Sequence, residues 1–177
     1  MKILLTGATG YIGKRILPLL VSKGHHVVCC VRDKTRFNPP ESLKANIAIL
    51  EVDLLDTVSL LKIPNDIDIA YYLVHSMSTS ENYKTLEESS ANNFRERLSA
   101  TNVKQVIYLS GIVNEKNLSK HLQSRKTVED ELANGSYNLT TFRAGIIVGS
   151  GSASFEIMRD LVEKLPVMIT PKWLLTK

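Results

Sequence analysis

The sequence predicts a doubly wound α/β fold built on a parallel sheet. Six short apolar runs alternate with longer stretches that have helical character, and parallel strands need crossover connections of this kind. Glycines recur at positions 7, 10 and 13, directly after the first apolar run, where a strand would turn into a helix. The expected strand order is 3-2-1-4-5-6.

The predicted strands are short and rich in β-branched residues, as buried parallel strands usually are. They span residues 2–5, 26–31, 47–52, 67–74, 103–109 and 137–142. The predicted helices span residues 11–23, 57–61, 80–100, 118–133 and 153–164. Gly24 is placed for the end of the first helix and Asp56 for the start of the second. Residues 32–44 are polar, contain two adjacent prolines and are predicted to form a loop.

Composition limits the class of protein. A chain of 177 residues that is 44% hydrophobic and 23% charged predicts one globular domain, residues 1–177. The formal net charge of +4 is spread along the chain, so we expect no nucleic-acid partner. No apolar run approaches the ~20 residues of a membrane span, and no metal site is expected. Cys29 and Cys30 are adjacent in a predicted strand, which indicates two reduced core residues in a cytoplasmic protein; a redox pair is the alternative.

The glycine-rich turn predicts a phosphate-binding site. Gly7 permits a tight turn, Gly10 lets the backbone approach a diphosphate, and Gly13 lets the helix pack on the strand. The free amide groups and the positive end of the helix dipole would then face the anion. The alternative is an ordinary glycine-rich connection, but a position directly after an apolar strand favours dinucleotide binding.

Residues 6–13, with the sequence TGATGYIG, resemble the fingerprint of the short-chain dehydrogenase/reductase superfamily. They are most similar to its extended and atypical branches, which include sugar-nucleotide epimerases and NmrA-like NAD(P)-binding proteins. The resemblance covers nearly the whole chain and implies a Rossmann domain that binds NAD(P). It also implies cofactor contacts from the fingerprint residues, which are Gly7, Thr9, Gly10, Tyr11, Ile12 and Gly13.

Residues that follow the second and third strands would select the cofactor. Arg32 could pair bidentately with the 2′-phosphate of NADP and stack on the adenine. The alternative uses Asp33 to hold the ribose 2′-hydroxyl of NAD, and the arginine favours NADP. Asp53, followed by Leu54, matches the position at which the resembling family contacts the adenine amino group; the alternative is a carboxylate that only caps the strand end.

The ends of the fourth and fifth strands border the same predicted crevice. Leu73, Val74 and His75 match a segment that lies along the diphosphate and ribose in the resembling family. His75 could contact the cofactor, act on a substrate or be an ordinary loop histidine. Ser110 matches the family's catalytic serine, which polarises a substrate carbonyl; the alternative is a serine that only ends a strand.

The chain departs from the family at the catalytic tyrosine and lysine. When the predicted helix 118–133 is aligned on Glu129, these two positions hold His121 and Arg125. His121 could transfer a proton, because the unperturbed pKa of imidazole is ~6.5, and Arg125 could donate to the nicotinamide ribose. A nearby arginine would favour the neutral imidazole. The alternative is that the two residues are surface neighbours one helical turn apart.

Residues 143–154 resemble the family segment that crosses the nicotinamide end of the cofactor. Within them, residues 149–152 read Gly-Ser-Gly-Ser and could form a second anion-binding nest or a flexible linker. The substrate lobe of the extended relatives is expected to be largely absent from this chain.

Taken together, the resemblance and the residues indicate an NADP-dependent oxidoreductase or a sugar-nucleotide epimerase-like enzyme that acts on an unknown small molecule. The alternative is a non-catalytic NAD(P)H-binding regulatory or sensor protein. The third predicted helix is polar and carries several charges, among them Glu87. We therefore expect a monomer or a weak homodimer.

Overall fold

A computed structural model describes residues 1–75, 83–112, 119–165 and 167. Within them, six strands form one sheet in the order β3-β2-β1-β4-β5-β6, and each neighbouring pair is parallel. The strands are β1 (Lys2–Thr6), β2 (His26–Val31), β3 (Ile47–Glu51), β4 (Ile69–Tyr72), β5 (Gln105–Gly111) and β6 (Asn138–Ala144). This order confirms the predicted doubly wound Rossmann fold.

Four of the five helices in the described part of the chain lie between successive strands, and the last helix follows β6. The helices are α1 (Tyr11–Ser22), α2 (Thr57–Leu60), α3 (Tyr83–Ser99), α4 (Lys120–Ala133) and α5 (Ala153–Lys164). The first residues of the predicted helices 80–100 and 118–133 lie outside the described residues. Asp56 caps α2 as predicted, since its carboxylate accepts the Val58 N–H at 3.0 Å.

Two predicted elements were wrong in detail. Residues 32–44 are more than a loop, because they contain two 3₁₀ turns, Lys34–Arg36 and Glu41–Asn46. The predicted strand 67–74 is shorter, because β4 ends at Tyr72. Beyond it, the Leu73 N–H donates to the Thr6 hydroxyl at 3.2 Å, so a side chain replaces the ladder where β1 ends.

Apolar side chains are buried on both faces of the sheet. Residues of β1 and β2 alternate between the two faces, as the pleat requires. Ile3, Leu5 and Cys29 pack with Leu17 of α1. On the other face, a larger cluster joins the sheet to α3 and α4; its largest fully buried side chains include Tyr72, Tyr108, Phe94, Leu98 and Leu132.

The two cysteines belong to opposite faces of this core. Cys29 and Cys30 are both buried and unbridged. Burial raises the pKa of each thiol to about 12, so neither is a reactive thiolate near neutral pH. This confirms the prediction of two reduced core residues.

Met1–Ala144 form one compact unit that contains the whole sheet, and Gly145–Lys177 form a second. In the second unit, Ser152 caps α5 by accepting the Phe155 N–H at 3.2 Å. The Ser152 N–H donates in turn to the Gly149 carbonyl at 2.8 Å, so this segment is a hydrogen-bonded turn. None of the helices in the described part of the chain combines the length and hydropathy needed to cross a bilayer.

Candidate functional site

A cleft of about 300 Å³ opens at the carboxyl ends of the strands in the Met1–Ala144 unit. It lies where the strand order reverses between β1 and β4, which is the usual ligand site of an open parallel sheet. Most of the predicted cofactor residues line it: Gly7, Thr9, Gly10, Arg32, Asp53, Leu54, Leu73, Val74, His75 and Arg125. The structure therefore brings together residues that are far apart in sequence.

The glycine turn fits closely against the neighbouring backbone. Gly7 has a φ of +68°, and a β-carbon there would lie 2.7 Å from the Leu73 carbonyl oxygen. Gly13 does not line the cleft; a β-carbon there would lie 2.2 Å from the Gly7 carbonyl oxygen. The predicted roles of Gly7 in the turn and Gly13 in helix packing are therefore visible as steric requirements.

The N-terminus of α1 has the features of an anion-binding site. Gly10 occupies the N-cap without a side-chain cap, and the first turn carries no acidic residue. Tyr11 and Ile12 form this first turn, whose amides have no partner inside the helix. A β-carbon on Gly10 would contact only the Gly7 carbonyl oxygen, at 3.2 Å. These features fit a diphosphate bound against the backbone.

Arg32 and Asp33 have different surroundings after β2. The Arg32 side chain lines the cleft, is exposed, and makes no hydrogen bond or ion pair with any described residue. Asp33 accepts hydrogen bonds from the Thr35 N–H at 2.8 Å and the Thr35 hydroxyl at 2.6 Å. Hydrogen bonds from Thr35 lower the pKa of the Asp33 carboxyl. Asp33 thus stabilises a turn, whereas Arg32 is available to a ligand.

Asp53 and Leu54 form the part of the cleft after β3. The Asp53 carboxylate accepts the Leu55 N–H at 3.0 Å, which is the capping role considered from the sequence. The Asp53 side chain is nevertheless exposed at the cleft. Leu54 is buried, and its carbonyl accepts a hydrogen bond from Asn93 of α3 at 3.0 Å. The cap is present, and the adenine contact stays a prediction.

Arg125 and Ser110 meet at the end of β5. The Arg125 guanidinium donates to the Leu109 carbonyl at 3.2 Å and lines the cleft, so it is more than a surface neighbour of His121. Ser110 is 4% exposed and does not line the cleft. Its hydroxyl approaches that of Tyr108 but makes no hydrogen bond of normal geometry with a described residue.

A buried carboxylate joins three elements at the edge of the cleft. Glu87 of α3 is 8% exposed. Its Oε1 lies 2.9 Å from Nδ1 of His75, and its Oε2 accepts the hydroxyl of Ser124 on α4. The ring of His121 packs edge-on against His75, with 4.8 Å between ring centroids.

Glu87 is a cleft residue that the sequence did not single out as a site residue. The sequence places Glu87 among the charges of a polar helix, but Glu87 shares a buried face of α3 with Ala91, Phe94 and Leu98. These four positions are spaced four, three and four residues apart, which is one face of a helix. An acidic residue in register with an apolar stripe was the signal that could have found it.

The pKa of His121 lies below its ordinary value of 6.5 because of partial burial, the neighbouring His75 and the Arg125 cation. The predicted effect of the arginine is therefore in the right direction, although burial is the larger cause. We expect Arg125→Met to raise the pKa of His121, because a cation that opposes protonation is removed. Titration of the His121 ring protons by NMR measures this change.

The sign of the linked stability change follows from the same shift. A lowered folded-state pKa means that His121 binds its proton more weakly in the folded chain than in the unfolded chain. Its contribution to stability is therefore present above pH ~6.5 and is lost as the pH falls through the folded-state pKa. An unchanged His121 pKa in the Arg125→Met variant, measured beside a Lys104→Met control, would contradict the assigned role of Arg125.

Known proteins similar to this chain include NAD(P)H-binding ones, which agrees with a cleft suited to a dinucleotide. A family model described as NAD(P)H-binding matches residues 7–159. The chain is 30% identical over 138 residues to isoflavone reductase homolog P3 of Arabidopsis thaliana, covering 73% of this chain and 44% of that protein. The first three curated relatives are covered over 30% to 44% of their length, so the chain spans less than half of each.

Solved structures share the fold. Citrobacter sp. triphenylmethane reductase complexed with NADP(H) superposes with a TM-score of 0.68 at 18% identity, covering 81% of this chain and 49% of that one. UDP-glucuronic acid 4-epimerase from Bacillus cereus in complex with NAD gives a TM-score of 0.70 at 21% identity, covering 94% and 64%. The strand order and the family match lead to one conclusion: the chain has a Rossmann fold and belongs to the NAD(P)H-binding family.

Proposed function

We propose that this chain is the cofactor-binding part of an NADP-dependent oxidoreductase. The observation that carries the proposal is the contrast between Arg32, which is exposed at the cleft without a partner among the described residues, and Asp33, which is hydrogen-bonded within its own turn. A guanidinium in this position suits a 2′-phosphate. The similarity to an isoflavone reductase homolog supports a reductase rather than an epimerase.

Different residues of the cleft would contact different parts of the cofactor. Gly7, Thr9, Gly10 and the first turn of α1 would hold the diphosphate, and Arg32 the 2′-phosphate. Asp53 and Leu54 would border the adenine, while Leu73, Val74 and His75 would follow the ribose toward the nicotinamide. Arg125 would donate to the nicotinamide ribose from its position beside the Leu109 carbonyl. When bound, the nicotinamide supplies or accepts a hydride.

Substrate chemistry would take place where β4, β5 and α4 meet. The alignment on Glu129 puts His121 and Arg125 at the positions of the family's tyrosine and lysine, so we expect an imidazole of this region rather than a phenol to transfer the proton. We do not include the predicted role of Ser110 in the proposal, because its hydroxyl is buried and does not line the cleft.

Two measurements test the proposal. Fluorescence titration should show tighter binding of NADPH than of NADH, and NADPH should be oxidised in the presence of at least one acceptor from a panel of ketones, aldehydes, quinones and triphenylmethane dyes. Tighter binding of NADH would contradict the cofactor assignment. Tight NADPH binding with no oxidation by any acceptor would instead favour the regulatory or sensor alternative.

The same residues bear on the cellular compartment and the oligomeric state of the protein. Two buried free thiols fit a reducing compartment, so we expect a cytoplasmic location. We also expect a monomer or a weak homodimer, since α3 is polar and has the exposed charged side chains of Glu88 and Glu96, even though Glu87 is buried. Analytical ultracentrifugation at micromolar protein concentration distinguishes this from a tight dimer.

A further inference from the structure

We infer that Glu87 is a positioning residue that fixes the tautomer of His75, and that His75 is the proton-transfer residue of this site. The inference rests on the proposed oxidoreductase function and names the group that would exchange a proton with the substrate. It is carried by the contact between Glu87 Oε1 and His75 Nδ1 at 2.9 Å and by the position of both residues along the cleft.

The geometry determines which ring nitrogen carries the proton. A carboxylate can only accept a hydrogen bond, so the neutral His75 ring must carry its proton on Nδ1 to satisfy Glu87. Nε2 is then an unprotonated acceptor. No described residue forms a hydrogen bond with Nε2, so this nitrogen can exchange a proton with a ligand.

The surroundings hold Glu87 in place. Its second carboxylate oxygen accepts the Ser124 hydroxyl from α4, and the residue is 8% exposed. A carboxylate buried to this degree is stable only when it is hydrogen-bonded. Arg125 supplies a cation in the same cleft. Glu87, on α3, is therefore held in place by Ser124 of α4 and by His75, which follows β4.

Other proton donors in the cleft are less suitable. Tyr72 and Tyr108 also line it, and burial is the main cause that raises the pKa of each hydroxyl. Both phenols therefore stay protonated at neutral pH and do not cycle readily. His121 does not line the cleft, and partial burial, His75 and Arg125 lower its pKa. It packs edge-on against His75 and is the neutral neighbour of the reacting ring.

The proton step is balanced within this arrangement. During reduction of a carbonyl by NAD(P)H, the substrate oxygen takes a proton from Nε2 of the protonated His75 ring. The Nε2–H bond breaks and the O–H bond forms. The ring becomes neutral with its remaining proton on Nδ1, facing Glu87, and solvent returns a proton to Nε2. In the oxidative direction Nε2 accepts the proton from the alcohol.

The first test needs no activity. The ¹⁵N shifts of the neutral His75 ring should show the Nδ1–H tautomer in the wild-type chain, and a mixture of tautomers in Glu87→Gln, because a glutamine amide can donate or accept. Ser124→Ala is the matched control: it removes the hydroxyl that donates to Oε2 of Glu87 and should leave the His75 tautomer unchanged. An Nε2–H tautomer in the wild type overturns the inference.

The second test uses the acceptor that gives NADPH oxidation. Glu87→Gln should lower kcat on the order of 10- to 100-fold while the Kd for NADPH changes less than about threefold, and His75→Asn should lower kcat by roughly 100-fold or more. His121→Asn should have a smaller effect on kcat than His75→Asn. If the wild type oxidises NADPH and His75→Asn retains full kcat, the inference fails although the proposed function stands. If the wild type shows no oxidation, the proposed function fails, and the tautomer measurement alone decides the role of Glu87.

Discussion

Replacing Gly10 with valine is expected to abolish NAD(P)H binding while leaving the sheet folded. A β-carbon at Gly10 would lie 3.2 Å from the Gly7 carbonyl oxygen, so the turn must shift by a few tenths of an ångström to accept a side chain. The branched side chain would also occupy the cleft at the N-terminus of α1, where the backbone must approach the diphosphate. Isothermal titration calorimetry with NADPH measures the loss, and circular dichroism verifies the fold.

A matched control separates the steric effect at the cleft from the general effect of introducing a valine near this helix. Leu19→Val introduces the same residue in α1 at a position that is 64% exposed. It should keep wild-type affinity at a small cost in helix stability. Gly10→Ala should fall between wild type and Gly10→Val. Unchanged NADPH affinity in Gly10→Val would refute the assignment of the diphosphate to this turn.

Sequence reasoning reached the fold because its main signals are local. The apolar runs of β1 and β2 and the glycine turn are each visible within a few residues, and strand–helix alternation then restricts the topology to a doubly wound sheet. The element ends were less accurate. β4 stops at Tyr72 because the Thr6 side chain takes the place of the ladder, and this contact joins residues far apart in sequence.

The cleft was predictable only in part, for the same reason. Residues placed by the fingerprint or at strand ends, such as Gly10 and Arg32, could be assigned from position in the chain. The burial of Glu87 depends on contacts with His75 and Ser124 from two other elements. Likewise, the competition between Arg32 and Asp33 could not be decided until the Thr35 hydrogen bonds were known. A single sequence does not show which side chains of different elements contact each other.

Arg32→Ala is expected to weaken NADPH binding about 10- to 150-fold, because a charge-assisted contact worth roughly 1.5–3 kcal/mol is lost at ~1.4 kcal/mol per decade. NADH lacks the 2′-phosphate, so its affinity should change little apart from any lost stacking on the adenine. Lys104→Ala removes the same charge at an exposed position just before β5, at the amino ends of the strands and therefore at the end of the sheet opposite the cleft. It should leave both affinities near those of the wild type.

Asp33→Ala distinguishes the two cofactor assignments. If Asp33 only closes its turn with Thr35, the variant should lose a little stability and should bind NADPH as tightly as the wild type or more tightly, because a nearby negative charge is removed. If Asp33 holds the ribose instead, NADH binding should fall sharply and NADPH binding should not. Paired titrations of both cofactors on the wild type and the two variants decide the matter. Equal weakening of NADPH and NADH by Arg32→Ala would return Arg32 to the role of a solvated loop charge.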